Sequence, residues 1–79
     1  MSWNYRVFAH KHNEEVVFKL HECYYDKEGK PKSYTTNPIT IEADNLEDIE
    51  LEIARLQTAI HRPILWYGDK FPEEYKLNN

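Results

Sequence analysis

An apolar stripe of helical period is the feature that most constrains how this 79-residue chain can fold. Within residues 45–61, leucine and isoleucine recur at spacings of three and four on an otherwise charged cylinder, at Leu46, Ile49, Ile53, Leu56 and Ile60. Such a stripe needs an apolar surface to cover, and the segments before it alternate like strands. The sequence therefore predicts a sheet with one helix laid across it. Asp44 or Asn45 caps the helix, and Pro63 ends it.

The first two predicted strands form a hairpin, over residues 3–10 and about 15–25. Pairing His10 with Glu15 across a four-residue loop aligns three apolar pairs on one side of the sheet, Tyr5–Leu20, Val7–Phe18 and Ala9–Val16. Because a shift of one residue would turn every side chain to the other face, this agreement supports the assignment of faces.

A third predicted strand, residues 32–42, follows a turn at Gly29 and places Tyr34 beside Glu22. Asn37-Pro38 interrupts its ladder with a bulge, since proline has no N–H to donate. The predicted fold is α+β, a three-stranded antiparallel meander with one helix on one face, in the order β-β-β-α. Residues 64–67 form a short fourth strand or an extended segment. Residues 1–71 make a single domain, and residues 72–79 a frayed tail.

Composition limits the function classes. The net charge of −4 argues against nonspecific nucleic-acid binding, and the single cysteine excludes an internal disulfide and fits a reducing compartment. No run of 18 apolar residues suggests a membrane span. We expect a soluble, cytoplasmic protein. Acidic residues crowd the start of the helix, which the helix dipole favours; the same residues are also a candidate patch for a basic partner.

The sheet face away from the helix is predicted to be open, with an apolar centre made of Phe8, Val17, Cys23 and Tyr25. Two interpretations remain. These side chains are scattered exposed residues of a kind common on protein surfaces, or they form an interface for a second copy or a protein partner.

A candidate ligand site surrounds Glu22, which the predicted register points to the core side between Trp3 and Tyr34, next to His21 in the chain. A carboxylate ringed by aromatic side chains is typical of a small-ligand pocket or an acid–base site. The alternative is a structural hydrogen bond to a half-exposed Glu22. The predicted ligand-binding residues are thus Trp3, His21, Glu22 and Tyr34.

No metal site, cofactor or catalytic residue is predicted. The histidines, His10, His12, His21 and His61, lack the spacing of a zinc site, and Cys23 has no paired cysteine. Cys23 also has no predicted histidine–acid companion that would make it a nucleophile. The two glycines are not placed to form a phosphate-binding loop.

Two elements, Trp3-Asn4-Tyr5-Arg6 and His21-Glu22-x-Tyr24-Tyr25-Asp26, with Gly29-Lys30-Pro31 and Asn37-Pro38 before the helix, resemble a family of small, mostly bacterial α+β proteins of unknown role. The resemblance spans residues 3–67 and implies a compact α+β domain with no catalytic residues to carry over. The order of elements is also similar to that of HicB-type antitoxin domains, although the glycine-marked strand and DNA-binding extension of those proteins are missing.

The sequence therefore predicts a non-enzymatic protein-interaction or regulatory module that uses the open sheet face, either self-associating or binding an unknown protein partner. One alternative is a small-ligand-binding or enzymatic domain around Glu22. Another is an antitoxin-like regulator.

Overall fold

The structure, a computed structural model, describes residues 2–77. Residues 1, 78 and 79 lie outside the described range, including the end of the predicted tail. The elements, in chain order, are β1 (Ser2–His12), β2 (Glu15–Tyr25), β3 (Pro31–Tyr34), α1 (Leu46–Ala59), β4 (Ile64–Trp66) and β5 (Glu74–Tyr75). The α+β class is confirmed.

The sheet differs from the predicted meander. It has five strands in the order β3-β2-β1-β4-β5, and it is mixed because β4 runs parallel to β1. The predicted fourth strand is therefore present, and residues 74–75 of the predicted tail add a fifth. β2 pairs with one edge of β1, which leaves the other edge free to pair with β4. Strands of two or three residues are too short to show an alternating pattern, so the sequence indicated neither β5 nor the parallel pairing of β4.

The β1–β2 hairpin is two residues out of the predicted register. His12 pairs with Glu15 across a two-residue loop, so that Val7 lies opposite Leu20 and Ala9 opposite Phe18. Asn13 makes the short loop feasible, because it takes a φ of 57° and asparagine tolerates that left-handed conformation. The even shift keeps every side chain on its predicted face.

β3 is shorter than the predicted third strand, and Tyr34 lies opposite Cys23 rather than Glu22. Beyond it the chain still bonds to β2, since the Thr35 N–H donates to Glu22 O at 3.1 Å and the Ile39 N–H to Leu20 O at 2.9 Å. The interruption between these two bonds coincides with the predicted bulge at residues 37–38.

Asn45 caps the start of helix α1, since its Oδ1 accepts a hydrogen bond from the Asp48 N–H at 2.9 Å, which confirms one of the two predicted caps. It packs on one side of the sheet, the helix face, through Leu56 and Ala59, which contact Tyr5. Leu46, Ile53 and Ile60 remain 81%, 45% and 69% exposed. The expectation that the whole stripe is buried is therefore wrong.

The narrow contact of α1 follows from its position over the first half of β1. The Tyr5 hydroxyl donates to a carboxylate oxygen of Glu52, and the Leu56–Ala59 turn lies on the same part of the strand. The other half of the helix face carries Phe18, whose ring meets Tyr75 edge-on at 5.5 Å and stays 46% exposed.

The opposite side of the sheet, called here the covered face, is covered by the chain itself. Phe8, Cys23 and Leu65 form a buried cluster, and the segment after β4 packs against it through Tyr67 and Phe71. The prediction of an open second face is therefore wrong, because residues 67–71 supply a second layer there.

Candidate functional site

Two buried histidines lie side by side on the covered face. His10 is 9% exposed and His21 is fully buried, and their Nε2 atoms are 2.9 Å apart. In the β1–β2 register His21 lies opposite Arg6, four positions before His10 on β1, and the two rings meet with their centroids 5.0 Å apart. The result is a histidine pair, His10–His21, on the same face of the sheet as the buried cluster of Phe8, Cys23 and Leu65.

The hydrogen bonds of the histidine pair define its tautomers. His21 Nδ1 lies 2.8 Å from the Thr35 carbonyl oxygen, which only accepts, so Nδ1 carries the proton. In the neutral ring His21 Nε2 is then an acceptor, and His10 Nε2 must donate to it. His10 Nδ1 is left without a proton and is the next position to bind one.

Both imidazoles are held neutral near pH 7. Burial, with smaller contributions from the nearby His21, Lys19 and His12, lowers the pKa of His10 to about 4. Burial also lowers the pKa of His21, against the opposing effect of its bond to Thr35. The cause is desolvation, which disfavours the charged ring.

Aromatic rings close over the histidine pair. The Tyr67 ring stacks on His10 with centroids 4.0 Å apart, and Phe8 meets His21 edge-on at 5.2 Å. Two hydrogen bonds hold the segment that carries Tyr67 in place. The Tyr67 hydroxyl donates to Thr36 O at 3.0 Å, and the Gly68 N–H donates to the Tyr34 hydroxyl at 2.8 Å. Little room is left beside the imidazoles for a substrate.

Arg6 and Cys23 complete the buried polar groups of this face. The Arg6 guanidinium donates to the Tyr25 hydroxyl and to Pro63 O, both at 2.7 Å, while its Nε has no partner among the described residues. Burial raises the pKa of the Cys23 thiol, and Cys23 is 0% exposed. A protonated, inaccessible thiol is unsuited to nucleophilic chemistry.

The structure does not bring the four predicted ligand-binding residues together. His21 and Tyr34 lie on the covered face, with ring centroids 6.1 Å apart. Glu22 and Trp3 lie on the helix face, where a Glu22 carboxylate oxygen accepts from the Tyr24 hydroxyl at 2.7 Å. Tyr34 lies on the covered face because it pairs with Cys23 rather than Glu22, and the register shift places Trp3 opposite Tyr24 instead of Glu22.

Of the four predicted interface residues, two are inaccessible. Phe8 and Cys23 are 0% exposed, and Tyr25 is partly buried with its hydroxyl donating to Asn4 Oδ1 at 2.7 Å. Val17 is 39% exposed. An interface centred on Phe8 would require residues 67–71 to move away; self-association of the chain stays a prediction.

A feature that sequence reasoning missed lies beside Val17, at the outer edge of β2. β1 pairs with β2 along all eleven residues, whereas β3 reaches only the last three residues of β2. Residues 15–19, called here the β2 open edge, have no neighbouring strand on their outer side within the described residues. The signal in the sequence is the mismatch between a long second strand and a third strand interrupted at residues 37–38.

The direction of the free backbone groups follows from the bonds nearby. Leu20 O and Glu22 O accept hydrogen bonds from the outer side, so the even-numbered residues of β2 direct their N–H and C=O groups outward. Val16 and Phe18 have the same parity, and their outward groups have no partner among residues 2–77. Val17 and Phe18 are more than a third exposed beside them.

Other surfaces offer less defined chemistry. A cleft of about 630 Å³ at the start of α1 is lined by Leu51, Ala43, Arg55 and four carboxylate side chains. A smaller one of about 310 Å³ lies between Trp3 and Arg55. Among the described residues, no three histidine, cysteine or acidic side chains are grouped to hold a metal ion. No helix in residues 2–77 has the length and apolar character needed to cross a bilayer.

Comparison with known proteins found no matching family model, no matching curated protein and no matching solved structure. The resemblance based on Trp3–Arg6 and His21–Asp26 therefore stays a prediction.

Proposed function

We propose that the chain is a non-enzymatic protein-interaction module that receives an extended segment of a partner along the β2 open edge. The observation that carries the proposal is the set of outward N–H and C=O groups of Val16 and Phe18, which have no partner among the described residues. An exposed strand edge is a template for a further strand, because main-chain hydrogen bonds form with little demand on the incoming sequence.

The other edges of the sheet are less suited to strand addition. β3 begins with Pro31, which has no N–H, and continues with an exposed Lys32. Proline and lysine are the residues that usually protect an edge strand. β5 has two residues, too few for a stable ladder. The β2 open edge has five residues, no proline, and apolar side chains at its centre.

The side chains of the edge would add contacts on both faces of an incoming strand. Val16 and Phe18 lie on the helix face, and Val17 lies on the covered face beside His10. A partner segment with apolar residues at alternate positions would cover Phe18, which is 46% exposed. The site therefore favours an extended, alternating segment over a helix or a small molecule.

Burial of the reactive groups supports the choice of an interaction function over an enzymatic one. His10, His21 and Cys23 are at most 9% exposed and lie beneath aromatic rings. A substrate would have to displace the segment that carries Tyr67 before reaching them. At the centre of the β2 open edge the exposed groups are instead the apolar side chains of Val17 and Phe18 and free backbone groups.

A strand-like peptide tests the proposal directly. The probe is an end-capped, fluorescent peptide of alternating valine and threonine, and binding is followed by anisotropy and by amide exchange of the protein. We expect micromolar binding and slower exchange at the Val16 and Phe18 amides. The same peptide N-methylated at the amides that face the edge should not bind, because it cannot donate to the strand.

A proline and an alanine substitution at Phe18 supply the matched pair of protein variants. Phe18→Pro removes an N–H that has no partner in the fold, whereas Phe18→Ala removes only the side chain. We expect Phe18→Pro to abolish peptide binding while an NMR spectrum shows a native fold, and Phe18→Ala to weaken it moderately. Equal binding of the methylated and unmethylated peptides, or full binding by a folded Phe18→Pro variant, would refute the proposal.

A further inference from the structure

We propose that the segment received by the β2 open edge is the same edge of a second copy, so that two chains pair antiparallel about a two-fold axis at Val17. This inference rests on the proposed function and names its partner. It is drawn from the self-complementary pattern of residues 15–19, Glu-Val-Val-Phe-Lys.

The hydrogen-bonding geometry suits this register. With Val17 opposite Val17 of the second copy, Val16 lies opposite Phe18. Both residues direct their backbone groups outward, which is the requirement for a hydrogen-bonded antiparallel pair. The two symmetry-related Val16–Phe18 pairs then satisfy the outward N–H and C=O groups of both residues in each copy. Val17 falls at the non-bonded position, where opposing side chains approach most closely.

The charges at the two ends of the edge are also complementary. In the same register Glu15 of each copy lies opposite Lys19 of the other, at two symmetric positions on the covered face. A parallel pairing would instead bring Glu15 near Glu15. Opposite charges directly across a ladder stabilise it and like charges destabilise it, so the ends favour the antiparallel arrangement.

The neighbouring structure limits the pairing to this register. The hairpin loop at residues 13–14 ends the edge on one side. On the other side, the Ile39 N–H already donates to Leu20 O, so the partner strand cannot extend past Lys19. Among antiparallel registers, only the one centred on Val17 uses all five residues of both copies.

The apolar pairs on the helix face add to the backbone bonds. Phe18, already in edge contact with Tyr75, would cover Val16 of the second copy and be covered by it in return. Five residues a side bury less than the area typical of stable complexes, about 1,600 Å² in total, so we expect a weak dimer that forms at high micromolar concentration.

A charge-exchange experiment tests the register. Sedimentation equilibrium is measured for the full chain, for Glu15→Lys, for Lys19→Glu, and for an equimolar mixture of the two variants. Each variant alone places like charges opposite each other at both ends, so we expect self-association about tenfold weaker than that of the unmodified chain. In the mixture each new lysine faces a new glutamate, and association should return to within about threefold of the original.

Amide exchange at low and high protein concentration identifies the surface. The Val16 and Phe18 amides should gain protection with concentration, and Phe18→Pro should abolish association. A dimer that forms without protecting these amides, or that the mixed variants fail to restore, would overturn the inference. If the chain stays monomeric while the valine–threonine peptide binds, second-copy pairing is wrong and the proposed function stands. If neither associates, both are wrong.

Discussion

Acidification should destabilise this fold well above the pH at which carboxylates titrate, because the His10–His21 pair is buried neutral. The pKa of His10 is lowered by burial to about 4, whereas the ordinary value is 6.5. Between these values the unfolded chain binds a proton that the folded chain does not. Stability is therefore full above about pH 7, and it is lost progressively as the pH falls from 6.5 toward 4.

The size of the effect follows from the difference between the two pKa values. Each pH unit of difference corresponds to about 1.4 kcal/mol, so His10 contributes about 3 kcal/mol to the full change and about 2 kcal/mol by pH 5. His21, whose pKa is also lowered by burial, adds to the loss in the same direction. A small domain has a total stability of about 5 kcal/mol, so a large part of it should disappear.

Urea denaturation at a series of pH values between 8 and 5 measures the free energy of unfolding. We expect a fall of at least about 2 kcal/mol for the unmodified chain. His10→Gln keeps a side-chain donor toward His21 and should lose most of that dependence, while His61→Gln, on the exposed end of the helix, should keep it. A flat profile for the unmodified chain, or an unchanged slope in His10→Gln, would show that the pair is not buried neutral.

Three further predictions concern packing, capping and the thiol. Phe8→Ala should cost about 3–5 kcal/mol in urea denaturation because Phe8 is 0% exposed, and Ile53→Ala, at a site 45% exposed, clearly less; equal losses would mean that α1 is packed more deeply. Asn45→Ala should cost about 1 kcal/mol by removing the cap bond to Asp48, and Asn45→Asp should cost little. Cys23, at 0% exposure, should react with a thiol reagent only at the rate of unfolding, whereas fast labelling of the native protein would contradict its burial.

Side-chain alternation and helix period accounted for the parts of the fold that are local. The cap at Asn45, the helix, the hairpin strands and the assignment of Tyr5 and Phe8 to opposite faces are as predicted. The hairpin register was missed because period-two alternation is unchanged by a shift of two residues. Only the turn could have distinguished the predicted register from the observed one. Asn13 permits the short loop, but residues 13–14 contain no Gly that would have indicated it.

The non-local features were out of reach of the sequence. Parallel pairing of β4 with β1 joins residues more than fifty positions apart, and three residues of strand leave no periodic signal. The aromatic cover of the histidine pair depends on that pairing, since Tyr67 directly follows β4 and stacks on His10. The spacing of the histidines predicted no metal site, and it did not indicate that His10 and His21 would share a hydrogen bond.

The partial covering of both sheet faces and the exposure of the hairpin end have a common origin in the small extent of the covering elements. Residues 2–77 form two small clusters, one under α1 around Leu56 and one under residues 67–71 around Phe8. Each covering element lies over only part of the sheet, so the hairpin end that carries Val17 and Phe18 extends beyond both. A strand edge left in this way exposes backbone groups that bind water in the monomer and a strand in a complex. The same geometry that limits the core therefore provides the surface on which we expect a second copy to pair.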